Sequence, residues 1–275
     1  MVPMVKLVGV GDNTVDRYIH LNRMFPGGNS VNVPVLARRY GHESGYIGWL
    51  GDDPHGQLLY ESMKCEGVDL SHCRRVEGPN SYCEVSLISG ERVFGKSTSG
   101  VSSQIKLDRE DYQYIAGYEI THTSVYSFIE EQLEELSKAS GYLSFDYSDR
   151  WSKEYLKKTA PKVDIAFLSA SEQTRSEAER LMGWIKDLGV SLVVVTQGIK
   201  GSLLYDGEQT YHQPIVETEV VDTLGAGDAF AARLIVEYLS GRTIEESMRL
   251  AALSASETCG YYGAWDYGSP LWEIN

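Results

Sequence analysis

The apolar positions of the chain fall into short runs separated by stretches with helical signals. Residues 5–10 are apolar and rich in β-branched side chains, with Gly9 inside the run and Gly11 after it, the pattern of a strand buried on both faces. Similar runs recur at 45–49, 119–123, 142–145, 163–168 and 192–196. Between most of them lie helix signals: Pro54 opens 54–66, Asp108 and Asp111 precede 112–116, and Ser171 leads 172–188, which Gly189 closes. Strand alternating with helix predicts an α/β fold around a mainly parallel sheet. One segment breaks the alternation. Residues 82–88 and 91–94 flank Ser89-Gly90 and predict a hairpin, a flap beside the main sheet.

Composition narrows the classes. With 275 residues and 42% hydrophobic content, the chain can fill one large α/β core. The 25 Lys and Arg against 39 Asp and Glu give a formal charge of −14, which repels nucleic acid and other extended polyanions. A small anion remains compatible with that field, because local amides and a metal ion outweigh distant charge. Cys65, Cys73, Cys83 and Cys259 form no CxxC pair and read as reduced thiols. The six histidines form no HxxxH or HxH pair, so a structural zinc site is not expected. His122 follows a predicted strand, where it fits a pocket-facing or a hydrogen-bonded core histidine. No run approaches ~18 apolar residues, and the reading is of a cytoplasmic protein without a membrane partner.

Two segments compete as phosphate sites. Residues Gly90 to Ser97 satisfy the GxxxxGK[ST] pattern of a Walker A loop, and Asp146 at the end of a strand fits its metal-binding partner. That mechanism needs backbone amides curled round phosphates and a helix directly behind them. Arg92-Val93-Phe94 favours extended structure and the following Ser- and Gly-rich stretch forms helix poorly. Gly9-Val10-Gly11-Asp12-Asn13-Thr14 lacks the third glycine of a dinucleotide loop. The better candidate is Asp222-Thr223-Leu224-Gly225-Ala226-Gly227-Asp228, where small residues give way to a strong helical pattern through Leu239. Such residues let N–H groups approach an anion, and a helix beginning near Asp228 adds its positive end. Asp228 is then placed to accept a hydroxyl proton, although by itself it fits a helix cap equally well.

These residues resemble the ribokinase/PfkB family of carbohydrate kinases, whose C-terminal signature D-T-x-G-A-G-D is matched by Asp222–Asp228 and whose N-terminal glycine signature is matched by Gly27-Gly28-Asn29-Ser30-Val31-Asn32. The resemblance implies a ribokinase-like three-layer α/β/α fold, with a mainly parallel sheet and a small β lid built mainly from about 80–98 and part of 12–26. It implies an ATP-dependent kinase using magnesium, with Asp228 as base and Gly225, Ala226 and Gly227 as anion hole. Asp16, expected at the end of the first strand, Gly27, Gly28 and Asn32 would bind the sugar. Thr196, Gly198, Lys200 and Gly201 resemble the nucleotide loop. Asp222, Thr223 and Gly263 stand where some members frame a monovalent cation, which raises potassium. Where the family has N-x-x-E near magnesium, the chain has Ser169-Ala170-Ser171-Glu172, so only Glu172 carries over. From the residues alone, Asp16 also fits a turn, Gly27-Gly28 a helix entry, Lys200 a solvated turn and Glu172 a first-turn carboxylate.

Within the family the pieces are similar to fructoselysine 6-kinases: Gly11-Asp12-Asn13 with Val15-Asp16, Arg92-Val93-Phe94-Gly95 and Gly263-Ala264-Trp265. This resemblance implies a sugar-amine substrate with Arg92 at its pocket. Tyr262 and Trp265 fit either core packing or a pocket wall. A homodimer through the lid is a further expectation, since an exposed sheet edge tends to be covered.

Overall fold

The structure is a computed structural model that describes residues 3–88 and 91–271, with the side chains of 87, 88, 91, 92 and 94 outside that description. The turn expected at Ser89-Gly90 therefore lies outside the described residues. Strand β1 (Lys6–Val10) is followed by β2 (Thr14–Tyr18), β3 (Arg23–Gly27) and helix α1 (Asn29–Arg39). Next come β4 (Glu43–Ile47), β5 (Trp49–Gly51), α2 (Pro54–Cys65), β6 (Arg74–Val76), β7 (Tyr82–Ile88) and β8 (Glu91–Thr98). The middle of the chain alternates as α3 (Arg109–Ile115), β9 (Ile120–Ser124), α4 (Leu133–Ala139), β10 (Tyr142–Asp146), α5 (Lys153–Thr159), β11 (Ile165–Ser169), α6 (Arg175–Asp187) and β12 (Leu192–Thr196). It closes with β13 (Ser202–Tyr205), β14 (Thr210–Gln213), α7 (Ala226–Leu239), α8 (Ile244–Thr258) and the two-residue β15 (Ser269–Pro270).

Among the described residues the main sheet has eight strands in the order β14-β13-β12-β11-β10-β9-β1-β4. The six from β12 to β4 are parallel, while β13 and β14 fold back antiparallel. Parallel strands bury both faces, and alternate side chains serve opposite layers. Leu192 and Val194 join the core formed with α1, α2, α7 and α8, whereas Val193 and Val195 join the core formed with α3, α4, α5 and α6. The predicted three-layer α/β/α arrangement follows. A second sheet, β15-β3-β2-β7-β8, forms the lid.

Three local expectations change. Asp16 lies in the middle of β2, not at the end of the first strand, because the chain turns after Gly11 and pairs again as a lid strand against β3 and β7. The helix expected from Glu172 starts at Arg175. Thr174 and Glu177 form a reciprocal capping box that outcompetes Ser171 as the start, leaving Glu172 in an exposed turn. Lys96 and Ser97 continue strand β8, and only a 3-10 turn, Gly100–Gln104, comes next. Among the described residues of that segment, 91–97, the backbone is strand and cradles no phosphate, which removes the Walker A alternative.

Sheet order also positions the site. From β1 the chain goes by α1 to β4 on one side, and the following parallel strand, β9, lies on the other. A crevice opens where the direction reverses, outside the carboxyl ends of the strands. Helix α1 can lie close over β1 because of Gly9, where a Cβ would fall 2.0 Å from the Ser30 carbonyl oxygen and 2.8 Å from Pro34. Gly9→Ala is expected to push α1 off the sheet and destabilise the fold by about 2 kcal/mol or more, read as a lowered urea midpoint with an unchanged m-value.

Candidate active site

Two helices start at the crevice. Helix α1 has Gly28 as its N-cap (φ 104°) and α7 has Gly225 (φ 78°), and both need a left-handed conformation that side chains disfavour. At Gly225 a Cβ would also sit 2.4 Å from Ala264 Cβ. Because glycine caps α7, no side chain occupies its first-turn amides. At Gly227 an added Cβ would meet nothing within 4 Å. The helix end therefore faces open space with its positive pole, a ready place for an anion.

Asp228 is the third residue of α7, and its side chain turns to α1. Asn29 Nδ2 donates to its Oδ1 at 2.7 Å and Asn32 Nδ2 donates to its Oδ2 at 2.6 Å. It does not cap the helix. Each asparagine is itself fixed: Trp265 Nε1 donates to Asn32 Oδ1 at 2.7 Å, and His122 Nε2 lies 2.8 Å from Asn29 Oδ1. Since an amide oxygen can only accept, Nε2 carries the proton and Nδ1 accepts from Ser144 Oγ at 3.0 Å. Burial pushes His122 down to about 3, so the ring stays neutral. Desolvation raises Asp228 to about 6, opposed by the two asparagine bonds and assisted by the nearby charge of Asp12.

The second carboxylate at this point is Asp146, at the end of β10, whose Oδ2 accepts from the same Asn29 amide at 2.8 Å. A third, Asp12, sits behind α1, its Oδ1 accepting from the hydroxyls of Ser30 and Ser124 at 2.7 Å each and Ser127 at 3.0 Å. These bonds tie α1 to the loops after β1 and β9.

The lid contributes the other wall. Asp16 is buried in β2, paired with Phe25 of β3 and Cys83 of β7, and a Cβ on Gly27 would come 2.5 Å from its Oδ2. Gly27 thus leaves the carboxylate room that any side chain would fill. The side chain of Arg92 lies outside the described residues. Tyr18 of the same sheet donates its hydroxyl to Asp222 Oδ2, which also accepts from Gly263 N at 3.2 Å, while Leu224 N binds Oδ1 at 3.0 Å. Asp222 consequently organises the loop before α7, and Thr223 is exposed beside it.

The loop after β12 forms a separate wall. Gln197 N binds Gly201 O at 2.8 Å, and Gly198 and Gly201 adopt φ of 57° and 90°. Lys200 Nζ donates to Ser171 O at 2.6 Å, so its ammonium secures the turn that carries Glu172. That joins the Thr196–Lys200 loop to Glu172, and Ile199 stands 88% exposed on it. Among the described residues no group of three or more His, Cys, Asp or Glu side chains gathers as a metal site.

Asn29, Asp146 and Ser144 went unassigned as site residues in the sequence. Asn29 lay inside the quoted glycine signature, and Asp146 read as a common strand-ending residue. Only the parallel pairing of β10 with β9, which sets Ser144 opposite His122, and the packing of α1 over the sheet bring the three together.

An α/β/α fold with a lid, a glycine-capped helix start and a desolvated carboxylate define a ribokinase-like kinase. A family model described as pfkB family carbohydrate kinase matches residues 4–270. The chain belongs to this family and is a carbohydrate kinase. It is 40% identical over 270 residues to fructosamine kinase FrlD of Bacillus subtilis (strain 168), covering 97% of this chain and 95% of that one. It is 38% identical to fructoselysine 6-kinase of Escherichia coli (strain K12), covering 95% and 100%. Among solved structures, the ribokinase of Arabidopsis thaliana complexed with ribose and ATP superposes with a TM-score of 0.81 at 24% identity, covering 96% of this chain and 95% of that one.

Trp265→Phe keeps most of the ring's packing and removes the bond to Asn32. It is expected to lower kcat about tenfold through misplacement of Asp228, with a stability loss of about 1 kcal/mol. Steady-state kinetics should place the loss in kcat and leave the KM of ATP unchanged.

Proposed function

We propose that the chain transfers the γ-phosphate of ATP to a hydroxyl of a sugar-amine adduct of the fructoselysine type. The observation that carries this reading is Asp228: a desolvated carboxylate, held by two asparagine amides, at a helix start whose amides face open space. Asp228 takes the proton of the substrate hydroxyl as its oxygen bonds to the γ-phosphorus. The bond from that phosphorus to the bridging oxygen breaks, and ADP leaves with the electron pair. Charge developing on the transferred group is met by the amides of Gly225 and Gly227, joined by that of Ala226 once it turns from Thr223 O, to which it donates at 3.3 Å.

The sugar would lie between Asp16, Gly27 and Gly28 of the lid side and Asn32 of α1, with Arg92 at the hairpin. ATP would lie along Thr196, Gly198, Lys200 and Gly201. The exposed apolar side chains Ile199, Ile215, Val220 and Val221 would offer contacts to the flat ring face of adenine. Magnesium dehydrates reluctantly and rides on phosphates and water. The exposed Glu172 fits an outer, water-mediated contact to it. The sugar-amine class rests on the relatives at 38% and 40% identity.

An ATP-consumption screen with fructoselysine, other fructosamines, fructose, ribose and nucleosides is expected to give turnover on the fructosamines. Exclusive turnover of a nucleoside would discard the substrate class. In the same assay Asp228→Asn should lower kcat by about 10²–10⁴ with ATP binding retained, while Lys96→Ala should change it little. Because the base acts deprotonated and burial raises it to about 6, kcat/KM is expected to rise with pH through that region. A profile flat from pH 5 to 8 would remove Asp228 as the base.

A further inference from the structure

Asp146 takes no part in the chemistry above, yet one amide separates it from Asp228. Asn29 Nδ2 gives one hydrogen to Asp228 Oδ1 at 2.7 Å and the other to Asp146 Oδ2 at 2.8 Å. The two oxygens are therefore no farther apart than two hydrogen bonds laid end to end. The amide cannot turn away, since His122 holds its oxygen and Ser144 holds the ring. Asp146 is anchored from its far side as well. Its Oδ1 accepts from Ser148 N at 2.7 Å, in a turn where Ser148 adopts φ of 51°, a conformation costly for a residue with a Cβ. A purely structural carboxylate would be expected to find a cation or the surface, and this one faces another carboxylate.

The groups around the pair do not neutralise it. Asp12, behind α1, adds negative charge to both. Asn29 and Asn32 from α1 are neutral donors, and His122 from β9 is kept neutral by burial. In the loop after β10, Asp149 is exposed and the Arg150 guanidinium lies 5.2 Å over the Tyr126 ring. Tyr126 in turn donates its hydroxyl to Ser148 Oγ at 3.0 Å.

We infer that Asp146 is a positioning residue for phosphoryl transfer: bridged to Asp228 by Asn29, it forms with the base a coupled carboxyl pair that keeps a proton on Asp146 while Asp228 is free to accept the one from the substrate. This rests on the reading of Asp228 as base. Desolvation, then the charge of Asp228, raise Asp146 to about 7, and two such half-buried groups joined by one amide titrate as a pair. The pair holds one proton near neutrality and releases it as pH rises.

The sign for stability follows. A carboxyl raised from 3.8 to about 7 in the folded protein binds its proton more tightly than in the unfolded chain. Its stability cost is absent below pH about 4, grows through 4–7 and is complete above 7.

Asp146→Asn leaves an oxygen to accept from Asn29 and removes the charge. The test compares kcat/KM against pH for wild type and Asp146→Asn. It adds melting temperatures of wild type, Asp146→Asn, Asp228→Asn and the double variant at pH 5 and 8. The expected result is an acid limb left near its wild-type position and the loss, in Asp146→Asn, of a second inflection that wild type shows near pH about 7. At pH 8 each single variant should melt above wild type, with the double gaining less than the two together, and at pH 5 these differences should shrink. A second inflection that persists in an active Asp146→Asn enzyme, or melting shifts that add at both pH values, overturns the inference. Should Asp146→Asn not fold, Asp146→Ser carries the same readouts. If wild type phosphorylates no sugar amine, the proposed substrate falls, while the melting cycle still decides the carboxyl pair.

Discussion

The active end of the molecule depends on how one half-buried carboxylate is held. Asp228 belongs to a helix that starts near residue 226, and the amides that hold it come from a helix that starts near residue 29. Each helix begins at a glycine in the left-handed region, so both positive ends converge on the same space. A carboxylate there is stabilised by amides and destabilised by desolvation. Asp228 ends with its affinity for a proton raised, the condition a general base near neutral pH needs. Opposed effects of this kind require fixed geometry, because a small rotation of either asparagine would leave a buried charge unpartnered.

The remainder of the fold supplies that rigidity. Gly9 lets α1 approach the sheet, and Phe230 and Leu234 of α7 pack into the same core as Val31, Val33 and Val35 of α1. His122 and Trp265 are fully buried, and each uses its polar nitrogen to orient an asparagine. Neither ring faces the pocket directly. Their role is to fix amides, which buried aromatic and imidazole N–H groups do well because packing leaves them no alternative partner.

The lid is built differently. Its own apolar cluster among the described residues is small, formed by Tyr18, Phe25 and Val85 with Leu21, Leu224 and Tyr262 against it. Strand pairing supplies much of its cohesion, which places it toward the low-stability end of the molecule. The Tyr18 hydroxyl on Asp222 couples this sheet to the loop that leads into α7. The lid and the loop before α7 thus share one hydrogen bond.

The sequence by itself determined the layered α/β architecture, because strands buried on both faces must be continuously apolar and helices must be periodic, patterns that are local. It also marked the two glycine-rich helix starts, since small residues before a helix are a local signature. The resemblance assigned part of 12–26 to the lid, but the residues did not show that Asp16 lies within a lid strand and not at the end of the first strand, because a five-residue strand and a turn share composition. Nor did they place Glu172 outside its helix, where the Thr174 and Glu177 box competes with Ser171. The union of Asn29, His122, Ser144 and Asp146 with Asp228 was decided only by the tertiary structure. Each alone is a common polar residue with ordinary neighbours, and a hydrogen-bonded network acquires meaning only when sheet register and helix packing bring distant segments within three ångströms.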